Sequence, residues 1–279
     1  MTSSKLLFDR FVAAINLEES EDEITALAFT VFEYFGVSRT EIISGKSVGV
    51  DFNKIIPLIK RLNQHEPIQY ILNEAWFYQR KFFVDPSVLI PRPETELIIE
   101  QAKKFCAGKK SIRVLDIGTG SGCIAITLAL EFPTADVLAI DVSEQALTVA
   151  KRNASELNAT IEFHHLDILK GFPSEQKFDL IVSNPPYISL EEKSNMAKNV
   201  LDYEPHLALF VSEGDPLIFY KAIAGISRHA LSPHGTTIVE INERFAGEVR
   251  NIFAQAGCKT TYVINDLSGR NRIVIAQAG

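Results

Sequence analysis

Apolar residues recur every three or four positions through residues 1–72, which predicts a series of short amphipathic helices. Ser38 and Glu41 have the spacing of a capping box, and Gly36 and Gly45 follow two of the apolar stripes as helix stops. Pro57 is compatible with a helix only near its first turn. The stripes predict a small helical bundle whose core contains Leu7, Phe11, Ala14, Ile15, Ile24, Leu27, Ala28, Val31, Phe32, Phe35, Ile55, Ile56, Ile59 and Leu62.

The spacing changes at residues 73–90, where aromatic and β-branched residues replace the helical stripes. Residues 76–78 and 81–84 are two strand-like runs separated by the polar pair Gln79 and Arg80. This order predicts a β-hairpin with Gln79 and Arg80 at its turn, although the pair lacks the glycine that tight hairpin turns prefer. The hairpin is expected to link the bundle to a second domain at residues 91–279.

From Ser111 onwards, apolar strands alternate with helices, which is typical of a parallel sheet with helices on both faces. The fold class is therefore α/β, with a Rossmann-like sheet preceded by the helical bundle and the hairpin. The expected strands are 112–117, 137–141, 160–163, 178–183, 237–241, 261–264 and 272–276, and the later helices are 123–130, 217–230 and 244–256, with a further helix through Ala146, Leu147 and Ala150.

Charge and composition narrow the range of functions. The formal net charge of −7 disfavours an enzyme that holds nucleic acid through a broad basic face, because phosphate contacts supply most of such affinity. Cys106, Cys123 and Cys258 are odd in number and far apart, which favours reduced thiols over disulfides or a zinc site. No apolar run approaches a membrane span of about 20 residues, and the start lacks a signal-peptide pattern. A soluble, unprocessed, cytoplasmic chain without a metal site is expected.

A glycine-rich turn at residues 118–122 follows the strand at 112–117. Such a turn lets a ligand approach the backbone, and Asp141, about 20 residues further on, can bind ribose hydroxyls. The spacing is Gly-x-Gly-x-Gly rather than the dinucleotide fingerprint, and no P-loop lysine follows. Since Asp116 would repel a pyrophosphate, cationic S-adenosylmethionine is favoured over a nicotinamide or flavin. The expected cofactor-binding residues are Gly118, Thr119, Gly120, Ser121, Gly122 and Asp141.

The segment Asn184, Pro185, Pro186 and Tyr187 follows the strand at 178–183. One interpretation is a strand stop, because the prolines fix φ and force Asn184 into extended geometry. At the carboxyl edge of a parallel sheet, however, these residues would meet a ligand. The Asn184 side-chain oxygen and a main-chain carbonyl of the proline bend could accept both N–H groups of a planar amide or amine, on which Tyr187 could stack. The nitrogen lone pair would then face a methyl donor.

Residues 89–96 form a further candidate segment, in which two prolines make an extended passage before a helix with acidic residues in its first turn. Arg92 and Glu94 lie on this stiff loop. They are candidates for binding the substrate, the cofactor or each other.

Together these motifs resemble those of class I methyltransferases that modify planar nitrogens, and in particular the N5-glutamine methyltransferase family acting on class 1 peptide-chain release factors. The resemblance implies a domain at 1–72 that helps to hold the release factor, a hairpin linker at 73–90, and a catalytic domain at 91–279. That domain would bind S-adenosylmethionine, methylate the glutamine of a Gly-Gly-Gln loop and release S-adenosylhomocysteine. Asn184, Pro185, Pro186 and Tyr187 would be catalytic and substrate-binding, Arg92 and Glu94 would be further substrate contacts, and Asn184 would also contact the cofactor. The segments that carry the resemblance are 66–72, 89–96, 116–122, 141–143, 183–188 and 203–206.

Three positions depart from the family pattern. Asn73 stands where relatives usually have glycine, and asparagine can adopt the same left-handed conformation. Ile168, counted here among the cofactor-binding residues, stands where some relatives have an aromatic side chain beside the adenine. Phe245 replaces a glutamine, which nothing in the sequence explains.

Two other functions are compatible with the sequence. A methyltransferase acting on exocyclic amino groups of DNA or RNA bases would use the same kind of planar-nitrogen site, but the acidic balance and the lack of a basic arm disfavour it. A silent adaptor on the same scaffold is disfavoured because the cofactor turn and the 184–187 segment are both intact. The expected partner is a class 1 release factor, and the expected chain is a monomer with no stable nucleic-acid or membrane partner.

Overall fold

The computed structural model describes residues 2–173, 175–211 and 214–279. The helices are α1 (Ser4–Ala14), α2 (Glu21–Tyr34), α3 (Arg39–Ser44), α4 (Ile56–Leu62), α5 (Ile68–Leu72), α6 (Glu96–Cys106), α7 (Cys123–Glu131), α8 (Glu144–Glu156), α9 (Lys198–Tyr203), α10 (His206–Leu209), α11 (Ile218–Ala230) and α12 (Ala246–Gln255). The strands are β1 (Thr2–Ser3), β2 (Ser47–Val48), β3 (Ala75–Phe77), β4 (Arg80–Phe82), β5 (Arg113–Ile117), β6 (Asp136–Asp141), β7 (Glu162–His165), β8 (Phe178–Ser183), β9 (Leu231–Glu240), β10 (Thr260–Asn265) and β11 (Asn271–Gln277). The chain forms two compact units, one of residues 1–74 and 197–203, the other of 75–196 and 204–279.

The first unit is a bundle of short helices, as the apolar stripes predict. The capping box of Ser38 and Glu41 is present, and Gly45 ends α3 in the left-handed conformation. Asn73 ends α5 with φ +53°, so asparagine does adopt the conformation expected where relatives have glycine. The two-residue strands β1 and β2 pair with each other, and the sequence did not predict them because so short a pairing leaves no periodic pattern. The unit's buried core contains Leu7, Phe8, Phe11, Ala28, Val31, Phe32, Val37, Ile42, Phe52, Ile55, Ile59, Leu62, Ile71 and Leu72.

The second unit is built on a seven-stranded sheet with the order β10-β11-β9-β8-β5-β6-β7. Strands β5 to β9 are mutually parallel, whereas β11 runs antiparallel to both β9 and β10. Strand β8 has the bounds that its apolar run predicts, while β7 lies two residues beyond its expected position. The predicted α/β class with a Rossmann-like sheet is confirmed.

Helices cover both faces of this sheet. Successive strand residues point to opposite faces, so Val114 packs with α6 and α7 while Leu115 packs with α11 and α12. Both residues are fully buried. The strands are therefore continuous apolar runs, which is the reason that the sequence pattern locates them well.

The order of the strands reverses at β5, which lies between β6 and β8. The connection from β5 leads to β6 on one side, and the chain returns to β8 on the other. In open parallel sheets, ligands bind in the crevice outside the carboxyl ends of the strands at such a point. The candidate site is therefore expected beyond Ile117 and Ser183, the last residues of β5 and β8.

The hairpin of β3 and β4 turns at Tyr78 and Gln79, so the prediction of Gln79 and Arg80 at the turn was wrong. Arg80 pairs with Phe77 in the ladder. Both turn residues have positive φ, +47° and +61°, as a primed turn requires. The backbone N–H of Tyr78 donates to Glu96 at 2.8 Å, and its hydroxyl donates to Glu100 at 2.6 Å. These contacts with α6 favour the left-handed conformation at a residue other than glycine.

The hairpin also contributes to the core of the second unit, because Phe77 and Phe82 are buried with α6 and α7. The domain boundaries expected at residues 72 and 90 remain predictions. Within the described residues, none of the helices combines the length and apolar character required to cross a bilayer.

Candidate active site

A cleft of about 290 Å³ opens at the carboxyl edge of the sheet, at the point where the strand order reverses. Its lining combines the glycine turn, the end of β6, and the segment after β8. Of the residues predicted to form the site, the cleft brings together Arg92, Gly118, Thr119, Gly120, Ser121, Asp141, Ile168, Asn184, Pro185 and Pro186. Gly122, Glu94 and Tyr187 do not line it.

The glycine turn wraps the end of β5 onto the start of α7. Gly118, Gly120 and Gly122 have φ of +72°, +55° and +82°, which side chains other than glycine rarely adopt. A Cβ at Gly118 or Gly120 would meet no atom within 4 Å, so the turn leaves open space beside its backbone. The sequence therefore folds here into a cradle that a ligand can approach closely.

Asp141 lies at the end of β6 and faces this turn. One carboxylate oxygen accepts the N–H of Gly120 at 2.9 Å, and the other accepts the N–H of Ser143 at 2.9 Å. Burial raises the pKa of Asp141, and these backbone donors oppose the rise. Each oxygen keeps a further lone pair, with which it can accept a hydrogen bond from a ligand hydroxyl.

Asp116 is fully buried beneath the turn. Its Oδ2 accepts bonds from the Thr119 hydroxyl at 2.7 Å and the Ala125 N–H at 3.2 Å. Its Oδ1 has no hydrogen-bond partner within the described residues. Burial raises the pKa of Asp116 to about 7, against the lowering effect of the two donors, and the charge of Asp141 adds to the rise. This carboxyl group therefore changes its charge near neutral pH.

Asn184 follows β8 and lines the cleft, and a series of hydrogen bonds holds its side chain. Its Nδ2 donates to the Thr95 hydroxyl at 3.1 Å, and that hydroxyl donates to Glu240 at 2.6 Å. The second oxygen of Glu240 accepts the Tyr187 hydroxyl at 3.1 Å. Glu240 thus joins both ends of the 184–187 segment, although it stands at the end of β9.

Tyr187 is tied to this series of hydrogen bonds by its hydroxyl. Burial raises the pKa of Tyr187, and the nearby carboxylate of Glu240 raises it further, so the phenol stays protonated at any physiological pH. The ring packs against the core face that contains α11 and α12. Its expected role, stacking on a planar substrate group, remains a prediction.

Arg92 lines the cleft, but its guanidinium is held by Glu204 at 2.5 Å. The Glu204 side chain is almost completely buried, and it also accepts the Ile90 N–H at 3.3 Å. The loop at 89–96 is therefore anchored by a carboxylate from the segment that begins α10. Glu94 is exposed. The predicted substrate contacts of Arg92 and Glu94 remain untested.

Known proteins resemble the chain over most of its length. A family model described as "Methyltransferase small domain" matches residues 93–208. The release factor glutamine methyltransferase of Flavobacterium psychrophilum is 39% identical to the chain over 272 residues, which is 95% of each protein. A protein of the same name from Bacteroides thetaiotaomicron is 41% identical over 260 residues, or 91% of this chain and 93% of its own.

The chain belongs to the release factor glutamine methyltransferase family. This confirms the family expected from the motifs. A solved methyltransferase from Pyrococcus furiosus shares the fold at 17% identity, with a TM-score of 0.52 over 80% of this chain and 98% of its own. This likeness concerns the fold alone.

In this member of the release factor glutamine methyltransferase family, three side chains that the motifs did not assign lie at or beside the site: Thr95, Glu204 and Glu240. Thr95 and Glu204 stand inside quoted motif segments, yet their roles depend on contacts with distant parts of the chain. Glu240 did carry a signal. It is a carboxylate at the carboxyl end of a buried apolar strand, the same pattern that singled out Asp141.

Proposed function

We propose that this chain transfers a methyl group from S-adenosylmethionine to the N5 side-chain nitrogen of the glutamine in the Gly-Gly-Gln loop of a class 1 peptide-chain release factor. The observation that carries the proposal is the position of the Asn184 amide. It lies in the cleft beside the glycine turn and is anchored on its Nδ2 side, and its Oδ1 accepts no hydrogen bond from the part of the chain that the structure describes.

The cleft fits such a cofactor on its own geometry. The cradle at Gly118 and Gly120 has space that a Cβ would otherwise enter, and the carboxylate of Asp141 can accept ribose hydroxyls. Asp116, whose Oδ1 is orphaned, lies buried beneath the turn, and in its ionised form it favours a cation nearby. Ile168 offers an apolar surface for the base in place of an aromatic ring. The cofactor would supply a methyl group on a positively charged sulfur.

The chain's own residues would orient the acceptor. A glutamine amide nitrogen is a weak nucleophile because its lone pair is delocalised into the carbonyl. Accepting its two N–H groups on Asn184 Oδ1 and on a main-chain carbonyl of the Pro185–Pro186 bend would turn the lone pair towards the methyl carbon. The cofactor would give up its methyl group and keep the electron pair of the broken carbon–sulfur bond, ending as S-adenosylhomocysteine. The methylated nitrogen would then lose a proton to solvent.

The first unit is proposed to contribute to holding the release factor. This role comes from the family resemblance and from the names of the relatives, which are release factor glutamine methyltransferases. The net charge of −7 favours a protein substrate over a nucleic acid, since a polyanion would be repelled at long range.

The proposal is tested with S-adenosylmethionine that carries a labelled methyl group. The protein is incubated in turn with a class 1 release factor, with the same factor after its loop glutamine is changed to alanine, and with nucleic acid. Label is expected in the unmodified release factor alone. Label that persists after the glutamine change would contradict the glutamine assignment, and label in nucleic acid would favour the base methyltransferase.

Asn184→Ala is the variant that links this reaction to the cleft. It is expected to reduce transfer at least 100-fold, the loss typical when one oriented polar contact to the reacting group is removed. Cofactor affinity, measured by calorimetry, should change little because the glycine turn and Asp141 are untouched. A variant that instead loses the cofactor would show that the contact of Asn184 with the cofactor outweighs its contact with the substrate.

A further inference from the structure

The side chain of Asn184 is held by a pair of buried residues that come from distant parts of the chain. Thr95 is 2% exposed and Glu240 is 1% exposed. The Thr95 hydroxyl lies between the Asn184 amide, at 3.1 Å, and the Glu240 carboxylate, at 2.6 Å. Neither residue has a role in the reaction proposed above.

The hydrogen bonds that link Asn184, Thr95 and Glu240 have a fixed direction. A threonine hydroxyl has one hydrogen to donate and lone pairs with which to accept. An ionised carboxylate can only accept, so the Thr95 hydrogen must be donated to Glu240. Thr95 can then only accept from Asn184, and an amide can satisfy that demand only with its NH₂ group.

Three neighbours favour the ionised, accepting form of Glu240. Burial is the largest influence and raises the pKa of Glu240, and the charge of Glu94 adds to the rise. Thr95 and Tyr187, which donate to its two oxygens, and the positive charge of Arg272 oppose it. The carboxylate therefore fixes the direction of the hydrogen bonds that it accepts from Thr95 and from Tyr187. An amide without such a constraint can rotate by half a turn, because its terminal torsion is broad and roughly two-fold, and this rotation exchanges oxygen and nitrogen.

We propose that Glu240 and Thr95 are positioning residues that set the orientation of the Asn184 amide, so that Oδ1 rather than NH₂ faces the substrate glutamine. This inference rests on the proposed function. With the amide reversed, Asn184 would present donors to the two N–H groups that it has to accept, and the glutamine would lose an orienting contact.

A substitution at Glu240 can reverse the direction of these hydrogen bonds without removing them. Glu240→Gln keeps the shape but supplies an N–H that can donate to Thr95. The threonine hydrogen is then free to be donated to Asn184 Oδ1, which stabilises the reversed amide. Thr95→Val removes the link, whereas Thr95→Ser keeps it and loses only a methyl group.

A purely structural role is the competing explanation, since buried polar groups also stabilise folds. Thr127→Val is the matched control for Thr95→Val, because Thr127 is fully buried in α7 of the same unit and its hydroxyl has no hydrogen-bond partner within the described residues. This variant should leave transfer unchanged. Thermal unfolding of every variant measures the structural contribution directly.

The experiment measures kcat and KM for the release factor, the calorimetric Kd of S-adenosylmethionine and the thermal midpoint of each variant. For Thr95→Val and Glu240→Gln, kcat is expected to fall on the order of 10- to 100-fold, the loss expected when a reacting group is misoriented. The Kd should change less than about twofold. A tenfold change in Kd would correspond to about 1.4 kcal/mol of binding free energy. Thr95→Ser should recover kcat to within about threefold of wild type, because its hydroxyl restores the link that orients Asn184.

The proposal is overturned if folded Glu240→Gln or Thr95→Val protein keeps the wild-type kcat. It is also overturned if folded Thr95→Ser is as impaired as Thr95→Val, because the hydroxyl would then not be the relevant group. The failure of the proposed function gives a different result: wild-type protein that does not label the release factor at its glutamine contradicts that function before any variant is compared.

Discussion

At the scale of single residues, the site is marked by three buried carboxyl groups at one edge of the sheet. Burial raises the pKa of Asp116, Asp141 and Glu240, and in each case hydrogen-bond donors oppose the rise. Buried ionisable groups carry a desolvation cost, and they are concentrated where function requires them. Asp116 is the least compensated of the three, because one of its oxygens has no partner within the described residues.

Asp116→Asn tests this desolvation cost through the pH dependence of stability. The folded pKa of about 7 lies above the ordinary aspartate pKa of 3.8, so the folded state binds the proton more tightly than the unfolded chain does. The stabilisation is complete below the unfolded pKa and is lost as pH rises through 7. The shift corresponds to a loss of at most about 4 kcal/mol in the unfolding free energy, which the asparagine variant should not show.

The measurement is denaturant unfolding of wild type and Asp116→Asn, without cofactor, between pH 4 and pH 8. The unfolding free energy of Asp116→Asn is expected to increase relative to that of wild type as pH rises. Asp136→Asn is the control, since this aspartate is exposed at the start of β6 and its ion pair with Arg113, at 3.2 Å, is exposed as well. Parallel curves for wild type and Asp116→Asn would show that Asp116 does not titrate in this range.

At the scale of elements, the connection from β5 to α7 determines the shape of the cleft. Gly122 has φ +82°, and its Cα faces the packing between α7 and α8. A Cβ there would lie 2.9 Å from the Ile126 side chain and 3.2 Å from the Ala150 Cβ. The glycine is therefore required both for the backbone conformation and for the close approach of two helices, even though it does not line the cleft.

Gly122→Ala is expected to destabilise the protein by roughly 2–4 kcal/mol, the sum of a left-handed backbone cost and overpacking. Gly225→Ala is the matched control. Gly225 is exposed within α11, has no positive φ and has free space where a Cβ would lie, so alanine should stabilise the helix by up to about 1 kcal/mol. Denaturant unfolding measures whether Gly122→Ala lowers the unfolding free energy and Gly225→Ala raises it. Equal changes in the two variants would contradict the packing argument.

At the scale of the whole molecule, the chain does not complete one unit before starting the other. Residues 197–203 belong to the first unit although the sheet strands of the second unit lie on both sides of them in the sequence. Within the first unit, the Tyr203 hydroxyl donates to the Gln64 carbonyl at 2.7 Å. Removing the N-terminal part of the first unit would therefore also affect residues 197–203, which belong to the same unit.

Deletion of residues 1–74 is expected to unfold α9. A helix of six residues is not stable by itself, so it depends on its contacts within the first unit. Hydrogen exchange of residues 198–203 should accelerate by roughly an order of magnitude, which corresponds to a loss of about 1.4 kcal/mol of local stability.

Exchange in α11 of the same samples is the internal control and should not change. Equal protection of residues 198–203 with and without the first 74 residues would contradict the assignment of this helix to the first unit.

Much of the fold follows from local pattern in the sequence. The strand Phe178–Ser183, the capping box at Ser38 and the left-handed Asn73 all depend on residues within a few positions of one another, so their signals are local. The hairpin turn was misplaced by one residue because contacts of Tyr78 with Glu96 and Glu100, on a different element, decide which pair adopts positive φ.

For the site, the sequence by itself determined the glycine turn, Asp141 and the Asn-Pro-Pro-Tyr segment, because each lies at the carboxyl end of a strand that its own apolar run identifies. Only the tertiary structure joined Asn184 to Thr95, Thr95 to Glu240, and Arg92 to Glu204, pairs that are 89, 145 and 112 residues apart. The direction of a hydrogen bond depends on which donor meets which acceptor. That is decided by strand order and helix packing, which no local spacing records.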